Sequence, residues 1–179
     1  MAPSAQEVQD RARRLRLLLL DVDGVLTDGT VTIDSAGGES KPFFIRDGAA
    51  MVWAARHDLE IGLLSGRPSQ ATTRRAAELG VKLLSQAGPD KLKGYEELLA
   101  AGPYRDDEVG YMGDDLLDLP VLARVGLSAA PADAASDVRA SVHWVSRFAG
   151  GRGAVREFIE LVLEAQGKWV PLVREFAAR

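Results

Sequence analysis

The sequence contains no cysteine. Disulfides, thiolate metal sites and cysteine nucleophiles are therefore excluded. It has two histidines, His57 and His143, too few for a histidine-rich zinc site and a poor basis for a histidine triad. Both read as surface or strand-end residues. Aromatic residues make up only 6% of the chain. No sign of charge dominates: 22 Lys and Arg stand against 26 Asp and Glu, a formal net charge of −4. Nothing global thus points to nucleic acid or to an anionic membrane. Long hydrophobic runs are missing as well. The run Leu17–Leu20 falls far short of the ~20 residues that a membrane-spanning helix needs. Met1–Arg16 carries Arg11, Arg13, Arg14 and Arg16 with no signal-like apolar segment before Asp21. No signal peptide is expected, and the cytoplasm is the default compartment.

What is present is ordinary for a folded protein: 46% apolar and 27% charged residues in 179, a length suited to one domain with its own core. A single domain, 1–179, is expected, with its core at about 15–166. Leu15–Leu20 reads as a strand buried on both faces, because its apolar residues do not alternate. Thr30–Asp34 and Ser40–Ile45 read as a hairpin, about 30–45, around Ser35-Ala36-Gly37-Gly38. Helices are expected at Asp47–Arg56, Pro68–Leu79, Pro89–Ala101, Leu116–Arg124 and Asp133–Arg139. Strands are expected at Leu59–Leu64, Val81–Leu84, Glu108–Met112, Gly126–Ala129 and Val142–Val145. Val155, Phe158, Ile159 and Val162 follow a helical stripe that ends at Gln166. The alternation predicts an α/β fold of Rossmann type, a parallel sheet with helices on both faces. The tail 167–179 is expected to be loosely tied, although Trp169, Val170, Leu172 and Phe176 are unusual for a solvated segment.

Ligands of open parallel sheets bind beyond the carboxyl ends of the strands, and the polar residues cluster there. Asp21-Val22-Asp23-Gly24-Val25-Leu26-Thr27-Asp28-Gly29 follows the first strand and Ser65-Gly66-Arg67 the second. Asp90-Lys91 opens a helix, and Gly113-Asp114-Asp115-Leu116-Leu117-Asp118 follows a later strand. Metal-assisted phosphoryl transfer needs this set: a carboxylate at Asp21 to attack phosphorus, and a second at Asp23 to protonate the leaving alkoxide and then deprotonate water. Magnesium suits an all-oxygen site that includes substrate phosphate. Each residue also has a structural reading: aspartates at strand ends cap helices, Ser65 could serve a turn and Lys91 a solvated face. Gly150-Gly151-Arg152-Gly153 precedes a helix and could receive an anion at its N-terminus.

From Leu17 to Asp118 these residues resemble, in order and spacing, the four motifs of the haloacid dehalogenase superfamily in its phosphatase branch. The resemblance implies Mg²⁺ on the Asp21 side chain, the Asp23 backbone carbonyl and Asp114. It implies that Ser65, Gly66 and Lys91 hold the phosphoryl group, with Asp115 and Asp118 behind them. About 24 residues separate Gly24 from the helix expected at Asp47, room for a hairpin but not for a cap domain, so a capless phosphatase is expected. Phe43-Phe44-Ile45-Arg46-Asp47-Gly48, Leu119-Pro120 and Ala149–Glu157 extend the likeness, to about Lys168, to the 3-deoxy-D-manno-octulosonate 8-phosphate phosphatases. That family implies hydrolysis of a sugar-acid phosphate by a homotetramer in which a neighbouring subunit covers each site. Thr27, Arg46, Arg67 and Arg152 then become candidates for the sugar acid. The alternatives are a nonulosonate 9-phosphate as substrate, or an idle assembly domain of the kind fused to sialic-acid cytidylyltransferases; the intact aspartate pair speaks against the latter.

Overall fold

The computed structural model describes residues 3–86 and 88–178. The first two residues of the Met1–Arg16 segment and Arg179 of the tail lie outside the described residues, as does Ala87. In chain order the elements are α1 (Ala5–Ala12), β1 (Leu17–Leu20), β2 (Thr32–Ile33), β3 (Glu39–Ser40), α2 (Ile45–Arg56), β4 (Glu60–Leu64), α3 (Gln70–Glu78) and β5 (Leu83–Ser85). They continue with α4 (Lys91–Ala100), β6 (Val109–Met112), α5 (Leu119–Leu122), β7 (Leu127–Ala130), α6 (Ser136–Ser141), β8 (Trp144–Val145), α7 (Ala154–Ala165) and α8 (Trp169–Ala177). Among the described residues, no helix is long and apolar enough to cross a membrane.

Six strands form one sheet in the order β5-β4-β1-β6-β7-β8, and every pairing in it is parallel. β1 lies near the middle, between β4 and β6, and all four of its leucines are fully buried. Side chains alternate across a strand, so the four split between two cores. Leu18 and Leu20 join Val8, Met51, Phe158, Ile159 and Val162 on the side of α1, α2 and α7. Leu17 and Leu19 join Tyr95, Leu98, Val121 and Val138 on the side of α4, α5 and α6. The expected helix-covered parallel sheet is thus present, with its carboxyl edge free for chemistry.

Two expectations need correction. The hairpin is much shorter than 30–45. Only Thr32–Ile33 and Glu39–Ser40 pair, and Ile45 already belongs to α2. Pro42 lacks the N–H that a continued ladder would require. The tail is not loose: residues 169–177 form α8, with Leu172 buried. The Trp53 ring meets Trp169 at 6.4 Å and Phe176 at 5.2 Å, and the Arg156 guanidinium sits over both indoles. The first sixteen residues also contain α1. Ser4 caps it by accepting from the Glu7 N–H, and Gln166 donates to the carbonyls of Ala12 and Leu15 that follow.

Candidate active site

The site begins where β1 stops. The Asp21 N–H donates to the Met112 carbonyl at 3.0 Å, which extends the ladder by one residue. The chain then turns through Val22–Leu26, with Asp23 extended (ψ 118) and Gly24 at φ 86. A Cβ on Gly24 would lie 2.0 Å from Asp114 Oδ2, so the two loops touch at a position only glycine fills. Asp21 Oδ1 accepts from its neighbour Val22 N–H at 2.7 Å, leaving Oδ2 to face Lys91 Nζ at 2.7 Å.

Lys91 is the first residue of α4, whose N-cap Asp90 accepts from the Lys93 N–H. The cap fixes where the helix starts and hence where Lys91 stands. Its ammonium is buried and also contacts Asp118. The charges of Asp21 and Asp118 outweigh the opposing effect of burial and raise its pKa. Asp118 is fully buried and both of its oxygens are committed. Oδ1 takes Lys91 and the Tyr111 hydroxyl; Oδ2 accepts the N–H groups of Asp114 at 2.9 Å and Asp115 at 3.1 Å. Burial and Asp118 push the Tyr111 phenol well above its ordinary range, so it remains a donor.

The remaining charge is poorly balanced. Burial, then the charges of Asp21 and Asp118, lift the Asp114 carboxyl to about 8. Burial, then Asp118, lifts Asp21 to about 6 despite Lys91. Oxygens of Asp21, Asp114 and Asp118 lie within 4.8 Å of one another. With Asp118 already satisfied, Asp21 and Asp114 are the pair with ligand capacity to spare. Their all-oxygen chemistry and uncompensated charge fit a small divalent cation.

A cleft of about 440 Å³ opens here, lined by Asp21, Asp23, Ser65, Gly66, Lys91 and Asp114, with Gly29, Arg67, Asp115 and Leu117 completing it. Ser65 sits at the end of β4. Its hydroxyl donates to the Arg67 carbonyl and accepts the Arg67 N–H, a tight turn that sets half-buried Gly66 in the cleft wall. Asp115 accepts from the Leu116 N–H and caps the turn 116–118, so the capping reading and the cleft reading apply to it together.

Not all expected residues converge. Thr27 was expected to contact substrate, but it is fully buried; its hydroxyl donates to the Val22 carbonyl and accepts the Gly29 N–H, which spends it on the loop. Arg46 lies exposed in the first turn of α2, and Arg152 is turned toward Asp28 at 3.5 Å; neither lines the cleft. The glycine run at 150–153 is no anion site. A Cβ on Gly150 would come within 1.8 Å of the Gly24 carbonyl oxygen, so the run packs against the Asp21 loop. The N-terminus of α7 already holds a carboxylate of the protein's own, Asp47, which accepts the Arg156 N–H at 2.8 Å. His57 and His143 take no part; the His143 Nδ1 accepts the N–H of Ser128 in β7.

Sequence reasoning passed over Glu39, Lys41, Asp47 and Tyr111. Lys41 is wholly buried at its side chain and pairs with Asp23 at 2.7 Å. Glu39 accepts from Arg67 at 2.8 Å and Ser69 at 2.6 Å. Tyr111 had a signal, a phenol in a strand expected to be buried, where its hydroxyl needs a partner.

No family model matches the chain. Its likeness to individual proteins is nevertheless close. The 3-deoxy-D-manno-octulosonate 8-phosphate phosphatase KdsC of Yersinia pestis is 44% identical over 166 residues, 93% of this chain and 89% of that protein. The crystal structure of the Yersinia pestis phosphatase superposes with a TM-score of 0.91, covering 93% of this chain and 90% of that one. The chain belongs to the 3-deoxy-D-manno-octulosonate 8-phosphate phosphatases of the haloacid dehalogenase superfamily. Another solved member, from Moraxella catarrhalis, is in complex with a magnesium ion, a phosphate ion and a KDO molecule. It is 31% identical with a TM-score of 0.94, covering 97% of this chain and 99% of that one.

Proposed function

We propose that this chain is a magnesium-dependent phosphatase that hydrolyses 3-deoxy-D-manno-octulosonate 8-phosphate to the free sugar acid and phosphate. The observation that carries the chemistry is the pair of carboxylates in one cleft: Asp21, held 2.7 Å from the Lys91 ammonium, and Asp23 beside it. The substrate is that of the relatives that match nine-tenths of the chain.

Asp21 attacks phosphorus as the bond to the sugar oxygen breaks, and Asp23 delivers a proton to that oxygen. Water then attacks the aspartyl-phosphate; its proton passes to Asp23, phosphate leaves and the Asp21 carboxylate is restored. Lys91 cannot wander, being fixed between two carboxylates, and offers a preorganised positive charge to the phosphoryl oxygens. The Ser65 hydroxyl and the Gly66 backbone hold the same group. Asp21, Asp114 and the Asp23 carbonyl would hold magnesium, which supplies charge neutralisation and alignment of the phosphate when bound. Asp118 orients Lys91 and, through two N–H groups, the Asp114 loop.

Arg67 is the arginine that lines the cleft, so it is the group of this chain placed to meet the sugar carboxylate. Arg46 and Arg152 lie outside the cleft of their own chain, and a binding role for them requires a neighbouring subunit. The hairpin supports such an assembly, because Ile33 is 70% exposed on a two-residue strand with little core beneath it. A homotetramer with one subunit over another's cleft supplies the missing cover. Phosphate release from the eight-carbon 8-phosphate and from a nine-carbon nonulosonate 9-phosphate, with magnesium and with chelator, tests this reading. Preference for the eight-carbon ester, lost on chelation, is expected. Preference for the nine-carbon ester would reassign the substrate, and inactivity on both would leave only an assembly role. An active monomer in sedimentation would remove the covering subunit.

A further inference from the structure

Lys41 lies outside the motifs, and the mechanism above makes no use of it. A buried ammonium requires a paired charge, and the side chain of Lys41 is 0% exposed. Its Nζ stands 2.7 Å from Asp23 Oδ1 and 2.9 Å from Oδ2, with Glu39 farther off at 3.9 Å. The lysine donates to Oδ2 of the carboxylate that must meet the leaving group and lies in ion-pair contact with Oδ1, which has no hydrogen bond of its own among the described residues. Asp23 itself remains 28% exposed toward the cleft. Its other cation, Arg67, is more distant at 3.7 Å and itself 43% exposed. Pro42 follows Lys41, and a proline bars the residue before it from helical geometry, which keeps the arm leaving β3 extended as it passes Asp23. Two residues earlier, Glu39 holds Arg67 and Ser69 of the loop after β4. The base of the hairpin thus ties the first two loops of the site together.

We propose that Lys41 is a positioning residue, holding the Asp23 carboxyl where its proton reaches the oxygen that leaves phosphorus. The inference rests on the reading of Asp23 as acid and base. Without Lys41 the carboxyl turns toward Arg67, and the loss falls on the step that needs a proton at the leaving oxygen.

The test compares an alkyl ester, the sugar-acid phosphate, with para-nitrophenyl phosphate, whose leaving group barely needs a proton, in Lys41→Met, Asp23→Asn and the double variant. General acid catalysis contributes 10²–10⁴-fold, so mispositioning the acid is expected to lower kcat for the sugar ester by about 10- to 100-fold and for the aryl ester by less than about threefold. Once Asp23→Asn is present, adding Lys41→Met should cost little more on the sugar ester. Equal losses on both esters, or losses that multiply in the double variant, would overturn the proposal and leave the phosphatase reading standing. A parent enzyme inactive on both esters would overturn that reading instead. Should Lys41→Met fold poorly, Lys41→Gln, which keeps an N–H donor on a shorter side chain, is expected to show the same split between substrates.

Discussion

The loop that carries Asp21 is pinned at almost every residue. Its start extends the β1 ladder, Thr27 closes it from within, Gly24 abuts Asp114 and Gly150 packs on its back. The hairpin that begins a few residues later has two paired residues per strand. Its turn is closed by Asp34 alone, which accepts the N–H groups of Ala36 and Gly38 at 2.8 Å, and its apolar residue Ile33 faces outward. The contrast teaches where each kind of determinant lies. Preorganised chemistry is built into the rigid edge of the sheet, whereas the hairpin contributes through a few charged contacts at its base and an apolar face not used within the chain. In the rigid loop, charge is held at the expense of stability, as functional sites often do.

The largest break in that contrast comes from Lys91. Lys91→Met leaves Asp21 and Asp118 buried beside each other without a counter-charge. It is expected to destabilise the fold by about 3–5 kcal/mol in urea titration and to abolish turnover. Asp21→Asn should separate the two properties. Activity is expected to fall by at least about three orders of magnitude, the scale seen when a covalent nucleophile is removed. Stability in magnesium-free buffer should hold or rise, because a carboxylate that resists ionisation has been removed. A destabilised Asp21→Asn variant would contradict the view that charge at this edge is under strain.

Asp47 gives a smaller effect with a definite sign. Burial lifts its carboxyl from 3.8 to about 6, against the N–H groups of Arg156 and Gly153 that favour ionisation. Between those pH values the folded chain keeps a proton that the unfolded chain has released, so stability falls as pH rises through that window. Comparison of the parent with Asp47→Asn in urea titrations from pH 4 to pH 7 should isolate a contribution on the order of 2–3 kcal/mol. Parallel curves would show that Asp47 ionises freely.

Much of the rigid region was legible in the sequence, because it depends on local rules: an apolar strand, polar residues at its carboxyl end, a glycine at the tight approach, a cap before Lys91. The hairpin and the termini were less legible because their determinants are distant in the chain. Lys41 looks like an ordinary edge-strand lysine until the fold sets it against Asp23, 18 residues earlier. Arg152 and Arg46 look like members of the same cleft until one turns to Asp28 and the other lies out in solvent, outside the cleft of their own chain. α8 escaped because its apolar residues find Trp53, more than a hundred positions away, and the glycine run before α7 escaped because its partner at the helix end is Asp47.

The smallest expected effect on the isolated chain is at the hairpin. Ile33→Ser should change the chain's own unfolding free energy by no more than about 0.5 kcal/mol, as for exposed positions generally. If the hairpin face joins subunits, the same change should move the sedimenting species to lower mass. An unchanged assembly would place the subunit contact elsewhere.

Everything in the rigid loop turns on Asp21 as the group that receives the phosphoryl. Substrate labelled at phosphorus, mixed with enzyme and magnesium and quenched in acid within the first turnover, tests it most directly. Acid-stable label on the chain, mapped to the peptide that contains Asp21 and absent from Asp21→Asn, is expected. Rapid phosphate release with no label on the chain at any time in that turnover, or label on a peptide lacking Asp21, would contradict it.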